Sequence, residues 1–283
     1  MQIINEFNEY KVLSLSNGYK YEMWNDITLK RPDPEIIWPG NDNIEVDAYY
    51  TRSKTGGGYW QINKEIPSSW QINYKDLKFN LKLMGFKHTG LFPEQAYNWD
   101  LIRNVIKNEK RNVKLLNLFA YTGAASVAAL KEGAEVVHVD SSKGMIEWAK
   151  ENVRLNKLNE NNIKFYVDDV KKLVKREIRR GNKYDIIIMD PPSFGRGAKN
   201  EVWSIEKDLY NLVVDACELL SDDPLLFIIN SYTTGLPKAV IENILRKIIN
   251  RKGKIISKEL CFKSEDGYIL PCGITTRWEK NEN

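Results

Sequence analysis

Histidine is nearly missing from this chain: His88 and His138 are the only two in 283 residues. A metal centre of several imidazoles or a Ser-His-Asp triad has little to be built from, and no metal site is expected. Cysteine is scarce as well. Cys217, Cys261 and Cys272 are an odd number at scattered spacing, with neither a CxxC pair nor a disulfide framework. Nothing approaches the ~18 continuous apolar residues of a membrane span. The opening MQIINEFNEYK lacks a basic stretch followed by an apolar run. The expectation is a cytoplasmic protein with no membrane partner. Excess charge of one sign is lacking too: 42 Lys and Arg against 38 Asp and Glu leave +4. That balance permits a polyanionic partner without demanding one.

The most informative shortage is of glycine. LNLFAYTGAAS, Leu116 to Ser126, follows an apolar run and leads into an alanine-rich segment, so it reads as a strand, a tight turn and a helix start. That is where α/β proteins hold nucleotides. A dinucleotide fingerprint needs three glycines there, because the backbone must approach a pyrophosphate closely. Gly123 is alone, which counts against a nicotinamide dehydrogenase and favours a nucleoside ligand without phosphates.

What is present divides the chain. From Tyr10 to about Met84, short alternating runs are broken by turn signals: KVLSL, Asn17-Gly18, YKYEMW, then Gly56-Gly57-Gly58 between AYYTR and YWQI. Asn-Gly between alternating runs signals a hairpin, since a type I′ turn needs positive φ at both positions. LKFNLKL, Leu77 to Leu83, alternates strictly. These features predict a β-rich domain over 1–85, a connecting segment over 86–110 and a ligand-binding α/β domain over 111–283. In the last, VKLLNLF, EVVHVD, IKFYV, YDIIIMD and PLLFIIN have the composition of doubly buried parallel strands. Helices are expected at Ser142 to Leu155, Val170 to Arg179, Ser204 to Leu220 and Pro237 to Ile249. The fold class is α/β, a doubly wound Rossmann-like sheet beside a small β-rich domain. In the tail, KIISKELCF and ITTRW flank EDGYILPCG with no helix between them, which suggests an antiparallel pair.

Three strands in a row end in a small turn, an acid and an acid. Asp140 stands at the end of EVVHVD, about 20 residues beyond the turn, where a carboxylate receives ribose hydroxyls; its bland alternative is a helix cap. YVDDV places Asp168 and Asp169 at the next edge. The fourth strand ends in MDPPSFG. Asp190-Pro191-Pro192 can neither extend a sheet nor easily open a helix, because the prolines lack donors and restrict one another. An acid and a stiff carbonyl are thereby presented at the strand end, with Phe194 nearby to stack on something flat. KKLVKREIRRGNK, Lys171 to Lys183, is either a phosphate-contacting stripe or a solvated helix face.

These residues resemble class I S-adenosylmethionine-dependent methyltransferases, and in particular the bacterial enzymes that methylate large-subunit (23S) ribosomal RNA. LNLFAYTGAAS looks like their motif I, HVDSS with WAKENVRLN like motif II, VDDV like motif III and DPPSFG like motif IV. HTGLFPEQAYNWDLI looks like the segment that covers the cofactor. The resemblance implies a seven-stranded sheet with an antiparallel last strand, and S-adenosylmethionine as cofactor. By the family pattern Phe119, Tyr121 and Gly123 surround its methionine part, Asp140 holds the ribose and Asp169 the adenine. Asp190, Pro191 and Phe194 are the catalytic set, and Thr89, Phe92 and Gln95 the lid. One departure stands out. Members that methylate carbon 5 of cytosine carry a cysteine after the fifth strand, where this chain has INSYTTG with Ser231.

The expected activity is methyl transfer to a nucleic-acid base, with ribosomal RNA as partner. The alternatives are an RNA-binding module that keeps the cofactor fold without catalysis, and a methyltransferase acting on protein or a small molecule. Tyr19, Tyr21, Trp24, Trp60, Trp70 and Tyr74 would be the module's stacking surface, against the simpler reading of such aromatics as core. Gly195-Arg196-Gly197 with Lys199 is either a phosphate-contacting loop or a plain connection. The sequence leaves the base, the methylated atom and the oligomeric state open.

Overall fold

The computed structural model of the chain describes residues 1–53, 57–196 and 202–281, with Arg196 described by its backbone alone. It divides into two compact units, residues 1–97 with 260–272, and residues 98–259 with 273–283.

The larger unit realises the strand-and-helix alternation. Its strands are β1 (Lys114–Leu118), β2 (Glu135–Asp140), β3 (Ile163–Val167), β4 (Ile186–Met189), β5 (Leu226–Ser231), β6 (Gly253–Lys263) and β7 (Ile269–Lys280), and β6 and β7 each run past the unit's boundary. Their order across the sheet is β6-β7-β5-β4-β1-β2-β3. β1 to β5 pair in parallel, and β7 runs antiparallel to β5, from Leu226 opposite Glu279 to Ser231 opposite Ile274. The doubly wound expectation holds, but the sheet has eight strands rather than seven, because the short strand Gln2–Ile3 adds in parallel at the edge of β6, opposite Leu260 and Cys261. The tail departs in one detail: β7 begins at Ile269, so Leu270 to Gly273 lie within a strand rather than in a connection.

The helices are α1 (Ala96–Asn108), α2 (Ala124–Lys131), α3 (Lys143–Leu155), α4 (Val170–Arg179), α5 (Ile205–Glu218) and α6 (Lys238–Ile248). Leu116, Leu118, Ile187, Met189, Phe227 and Ile229 alternate along β1, β4 and β5 and are buried with Leu173 and Val174 of α4, Leu209 and Val213 of α5, and Ile241 and Leu245 of α6. α2 and α3 pack against β1, β2 and β3. The central strands β4 and β5 are almost wholly apolar because helices cover both faces, and burying each large aliphatic side chain contributes about 1.5–3 kcal/mol.

In the smaller unit, strands 10–16, 19–24, 27–32, 48–52 and 58–62 form a five-stranded sheet, and strands 70–74 and 77–81 a separate hairpin. Asn17 and Gly18 have φ of 49° and 82°, the two positive values a type I′ turn requires. Gly56 of the second expected turn lies outside the described residues. Trp24, Tyr21 and Tyr74 are buried, while Tyr19, Trp60 and Trp70 are half-buried, so half of the proposed stacking aromatics are core. Below them the Arg31 guanidinium donates to both oxygens of the fully buried Glu22, at 2.5 and 2.6 Å, and Tyr10 Oη donates to Glu22 Oε1 at 2.6 Å. A third Arg31 N–H donates to the Lys87 carbonyl at 3.1 Å. Burial opposes the charge on Glu22, but Arg31 and Lys20 overcome it and hold the carboxyl down to about 2.

Candidate functional site

Strand register brings the motifs to one edge. Leu118 is opposite both Val139 and Met189, so Phe119, Asp140 and Asp190 leave three adjacent strands at the same level, and Asp140 is itself opposite Val167 of β3. This is the carboxyl edge of the parallel strands, where open α/β sheets bind ligands.

The turn after β1 has unusual backbone. Phe119, Tyr121 and Gly123 have φ of 56°, 52° and 85°, three left-handed residues in alternation. For Phe and Tyr this conformation costs roughly 1–2 kcal/mol each and needs outside support. Support comes from four directions. Ala120 N donates to the Val139 carbonyl at 2.9 Å, Tyr121 N to Asp140 Oδ2 at 2.9 Å, Asn152 Nδ2 to the Thr122 carbonyl at 2.9 Å and Gly123 N to the Ala120 carbonyl at 3.0 Å. Gly123 is a steric necessity, because a Cβ there would meet Ala149 Cβ at 3.0 Å and His138 Cε1 at 3.3 Å. Beneath the turn, Asn117 Nδ2 donates to Ser126 Oγ at 3.0 Å, and Ser126 Oγ lies 3.0 Å from His138 Nδ1. His138 is fully buried, its Nε2 makes no hydrogen bond, and burial pulls the imidazole down to about 3, against the Tyr121 backbone. It is a neutral wedge under the loop.

Asp140 has a double role. Oδ1 accepts from Ser142 N at 2.8 Å and Oδ2 from Tyr121 N, so one carboxylate fixes the turn and the approach to α3. Burial pushes its carboxyl above the ordinary value while the two N–H groups oppose that. Each oxygen keeps a lone pair for a ribose hydroxyl. Asp169 caps α4, accepting from Lys172 N at 3.0 Å, and its own N–H donates to Asp168 Oδ1 at 2.8 Å. Arg176 pairs with Asp168 at 2.7 Å, Arg180 with Glu177 at 3.0 Å and Lys171 with Asp208 at 3.0 Å. Much of the basic run is therefore spent within the fold.

After β4, Asp190 N donates to the Leu118 carbonyl at 3.3 Å, Pro191 is buried and Phe194 is 59% exposed. Phe194 to Arg196 pairs antiparallel with Val202 to Ser204. Sequence reasoning missed the residue that braces this loop: Trp203 Nε1 donates to the Pro192 carbonyl at 2.6 Å. It also missed the bond between Ser193 Oγ and Thr233 Oγ1 at 2.7 Å. Asn117 and His138 were missed as well, although a polar residue within an apolar strand is a signal that could have marked them; Trp203 carried no such signal. Gly197 and Lys199, with the Arg196 side chain, lie outside the described residues.

Thr89, Phe92 and Gln95 belong to the smaller unit. Thr89 and Gln95 are buried, the Phe92 ring packs against His88 at a tilt of 52° with centroids 5.3 Å apart, and Thr89 Oγ1 has no hydrogen-bond partner. Among the described residues no cluster of three His, Cys, Asp or Glu could hold a metal, and no helix is long and apolar enough to cross a membrane.

A glycine-floored turn, a carboxylate with spare lone pairs and a rigid Asp-Pro-Pro edge suit an adenosine-bearing cofactor. The family model for S-adenosylmethionine-dependent methyltransferases matches residues 49–250. The chain belongs to that family. Its cofactor is S-adenosylmethionine, and the turn and Asp140 fit that group. It is 31% identical over 234 residues to ribosomal RNA large subunit methyltransferase K/L of Colwellia psychrerythraea, covering 81% of this chain and 32% of that one. It is 32% identical over 197 residues to ribosomal RNA large subunit methyltransferase I of Salmonella enteritidis, covering 68% and 47%. The chain thus spans a third to a half of the length of these curated relatives. A crystal structure of a SAM-dependent methyltransferase from Agrobacterium tumefaciens superposes with a TM-score of 0.93 at 33% identity, over 98% of this chain and 92% of that one. SMU.776, solved in complex with SAH, shares the fold with a TM-score of 0.75 at 24% identity, over 97% and 76%.

Proposed function

We propose that this methyltransferase transfers a methyl group to an exocyclic amine of a base in large-subunit ribosomal RNA, and so works in the cytoplasm. The observation that carries the reading is the Asp190-Pro191-Pro192-Ser193-Phe194 edge, which leaves β4 beside the motif I turn with Phe194 59% exposed. The similarity to ribosomal RNA large subunit methyltransferases favours ribosomal RNA as the acceptor.

Bound S-adenosylmethionine supplies a methyl group already activated by its sulfonium. The chain then has to position a nucleophile. Asp190 and the Pro191 carbonyl accept the two hydrogens of the amine, which localises the nitrogen lone pair toward the methyl group. As nitrogen gains the methyl it loses one proton, and Asp190 is the acceptor at hand. Phe194 stacks against the base, a contact worth about 1–3 kcal/mol, and a base reaching this edge has to leave its helix. Asp140 holds the ribose and Asp169 the adenine; Thr89, Phe92 and Gln95 stay assigned to the cofactor on the sequence pattern alone.

Carbon-5 methylation fits less well, because it takes a thiolate that adds to the ring. Burial pushes the Cys217 thiol up to about 12 and Cys272 well above its ordinary value, and Cys261 is fully buried. Ser231 ends β5, with its Oγ accepting from Thr233 N at 3.3 Å. The test is transfer of tritiated methyl from S-adenosylmethionine into the RNA and protein of cells lacking the gene. Label in a large-subunit RNA nucleoside is expected; label confined to protein or small molecules would overturn the proposal.

A further inference from the structure

Trp203 stands between the two halves of the site. Its indole is 7% exposed and packs against Phe119 of the motif I turn, with ring centroids 5.1 Å apart at 58°. Nε1 donates to the Pro192 carbonyl at 2.6 Å, and Trp203 itself is opposite Gly195 in the short hairpin. The neighbouring backbone closes the brace: Ile205 N donates to the Ser193 carbonyl at 3.0 Å, and Phe194 pairs with Ser204. Ser204 N in turn donates to Asp208 Oδ2 at 2.9 Å, and Lys171, the ion-pair partner of Asp208, lies 6.0 Å from the Trp203 ring.

The Asp-Pro-Pro run cannot hold itself. Asp190 N ties the start of the run to the Leu118 carbonyl, but neither proline has an N–H, so beyond Asp190 the carbonyls are the backbone groups by which it can be fixed. Pro192 is exposed, and its carbonyl would otherwise be free to rotate into water. Trp203 grips the Pro192–Ser193 peptide, the next one along the chain from the Pro191 carbonyl that accepts the amine in the proposed reaction. We propose that Trp203 is a positioning residue for methyl transfer: its indole N–H locks the Asp190-Pro191-Pro192 edge while its ring rests on the cofactor turn, setting acceptor and methyl donor in one register. This rests on the amine-directed reading above.

The direct test replaces Trp203 with 3-benzothienylalanine, an isostere carrying sulfur in place of the N–H, with Trp203→Phe alongside. The isostere keeps the packing on Phe119, so S-adenosylmethionine affinity should stay within about twofold and the unfolding midpoint should barely move. Displacement of reacting groups by about 1 Å costs up to ~100-fold. Methyl transfer to ribosomal RNA from gene-deleted cells, at saturating cofactor, should therefore fall about tenfold or more. Amide exchange at Ile205, whose N–H donates to the Ser193 carbonyl, should rise while that at Tyr121 does not. A wild-type rate in the isostere overturns the inference, as does a cofactor affinity that falls in step with the rate, which would make Trp203 packing for the pocket. Should the wild-type protein label no RNA, the proposed function falls instead. The exchange measurement then decides the brace alone, and unchanged protection at Ile205 would refute it.

Discussion

Replacing Gly123 with alanine separates two costs that most glycine substitutions confound. The residue sits at φ 85°, and the added Cβ would lie 3.0 Å from Ala149 Cβ and 3.3 Å from His138 Cε1. Neither neighbour can step aside: Ala149 is fully buried on α3, and His138 is pinned by Ser126. Gly133, just past α2 in the same unit, has almost the same φ of 87° but nothing within 4 Å of its Cβ position. Gly133→Ala therefore carries the backbone cost alone, roughly 1–2 kcal/mol. Gly123→Ala adds overpacking of roughly 1–3 kcal/mol. Urea unfolding should place Gly123→Ala below Gly133→Ala by about 2 kcal/mol. Calorimetric titration with S-adenosylmethionine should show at least a tenfold (~1.4 kcal/mol) loss for Gly123→Ala and almost none for Gly133→Ala. Equal effects of the two substitutions on stability and affinity would mean that the turn is not built against α3 and β2 as described.

Asp140→Ala should weaken S-adenosylmethionine by about 1.5–3 kcal/mol, roughly ten- to a hundredfold, since it removes a charged acceptor and frees the Tyr121 N–H; unchanged affinity in titration would remove Asp140 from the site. His138 has its imidazole lowered from 6.5 to about 3. Its contribution is complete above pH 6.5 and is lost as pH falls toward 3, because the unfolded chain takes the proton first. Near pH 5 the loss is about 2 kcal/mol, and His138→Gln should abolish that part of the difference in unfolding free energy between pH 7 and pH 5; an identical difference in the variant would contradict a neutral buried imidazole. Cys272→Ala should keep most methyl transfer while Asp190→Asn loses it, both retaining cofactor affinity. A dead Cys272 variant, with a covalent adduct to RNA containing 5-fluorocytosine, would move the chemistry to carbon 5.

The sheet was legible because its signals are local. Apolar runs bounded by turns gave β1 to β5, and α4 was expected at its observed limits, Val170 to Arg179, since Asp169 caps it. Asn17-Gly18 forms the turn its composition demands. Motif order identified the strand edge that register then assembled. What stayed hidden depends on partners distant in sequence or on conformations that propensity disfavours. Nothing in Phe119 or Tyr121 announces a left-handed residue; the Asp140 carboxylate and the neighbouring carbonyls impose it. Trp203 reads as one more aromatic until the hairpin brings it back to Pro192. The tail ran against local signals as well, because Pro271 and Gly273 suggest a connection where β7 already runs. Glycine is needed at 273, where φ is 134° and a Cβ would strike the Tyr232 ring at 2.7 Å.

The central claim, methyl transfer to a base amine of ribosomal RNA, is tested most directly by mass spectrometry of nucleosides from large-subunit RNA of cells with and without the gene. One N-methylated nucleoside should vanish with the gene, return with the wild-type protein and stay absent with Asp190→Asn. An unchanged nucleoside profile, or the loss of a carbon-5-methylated pyrimidine instead, would contradict it.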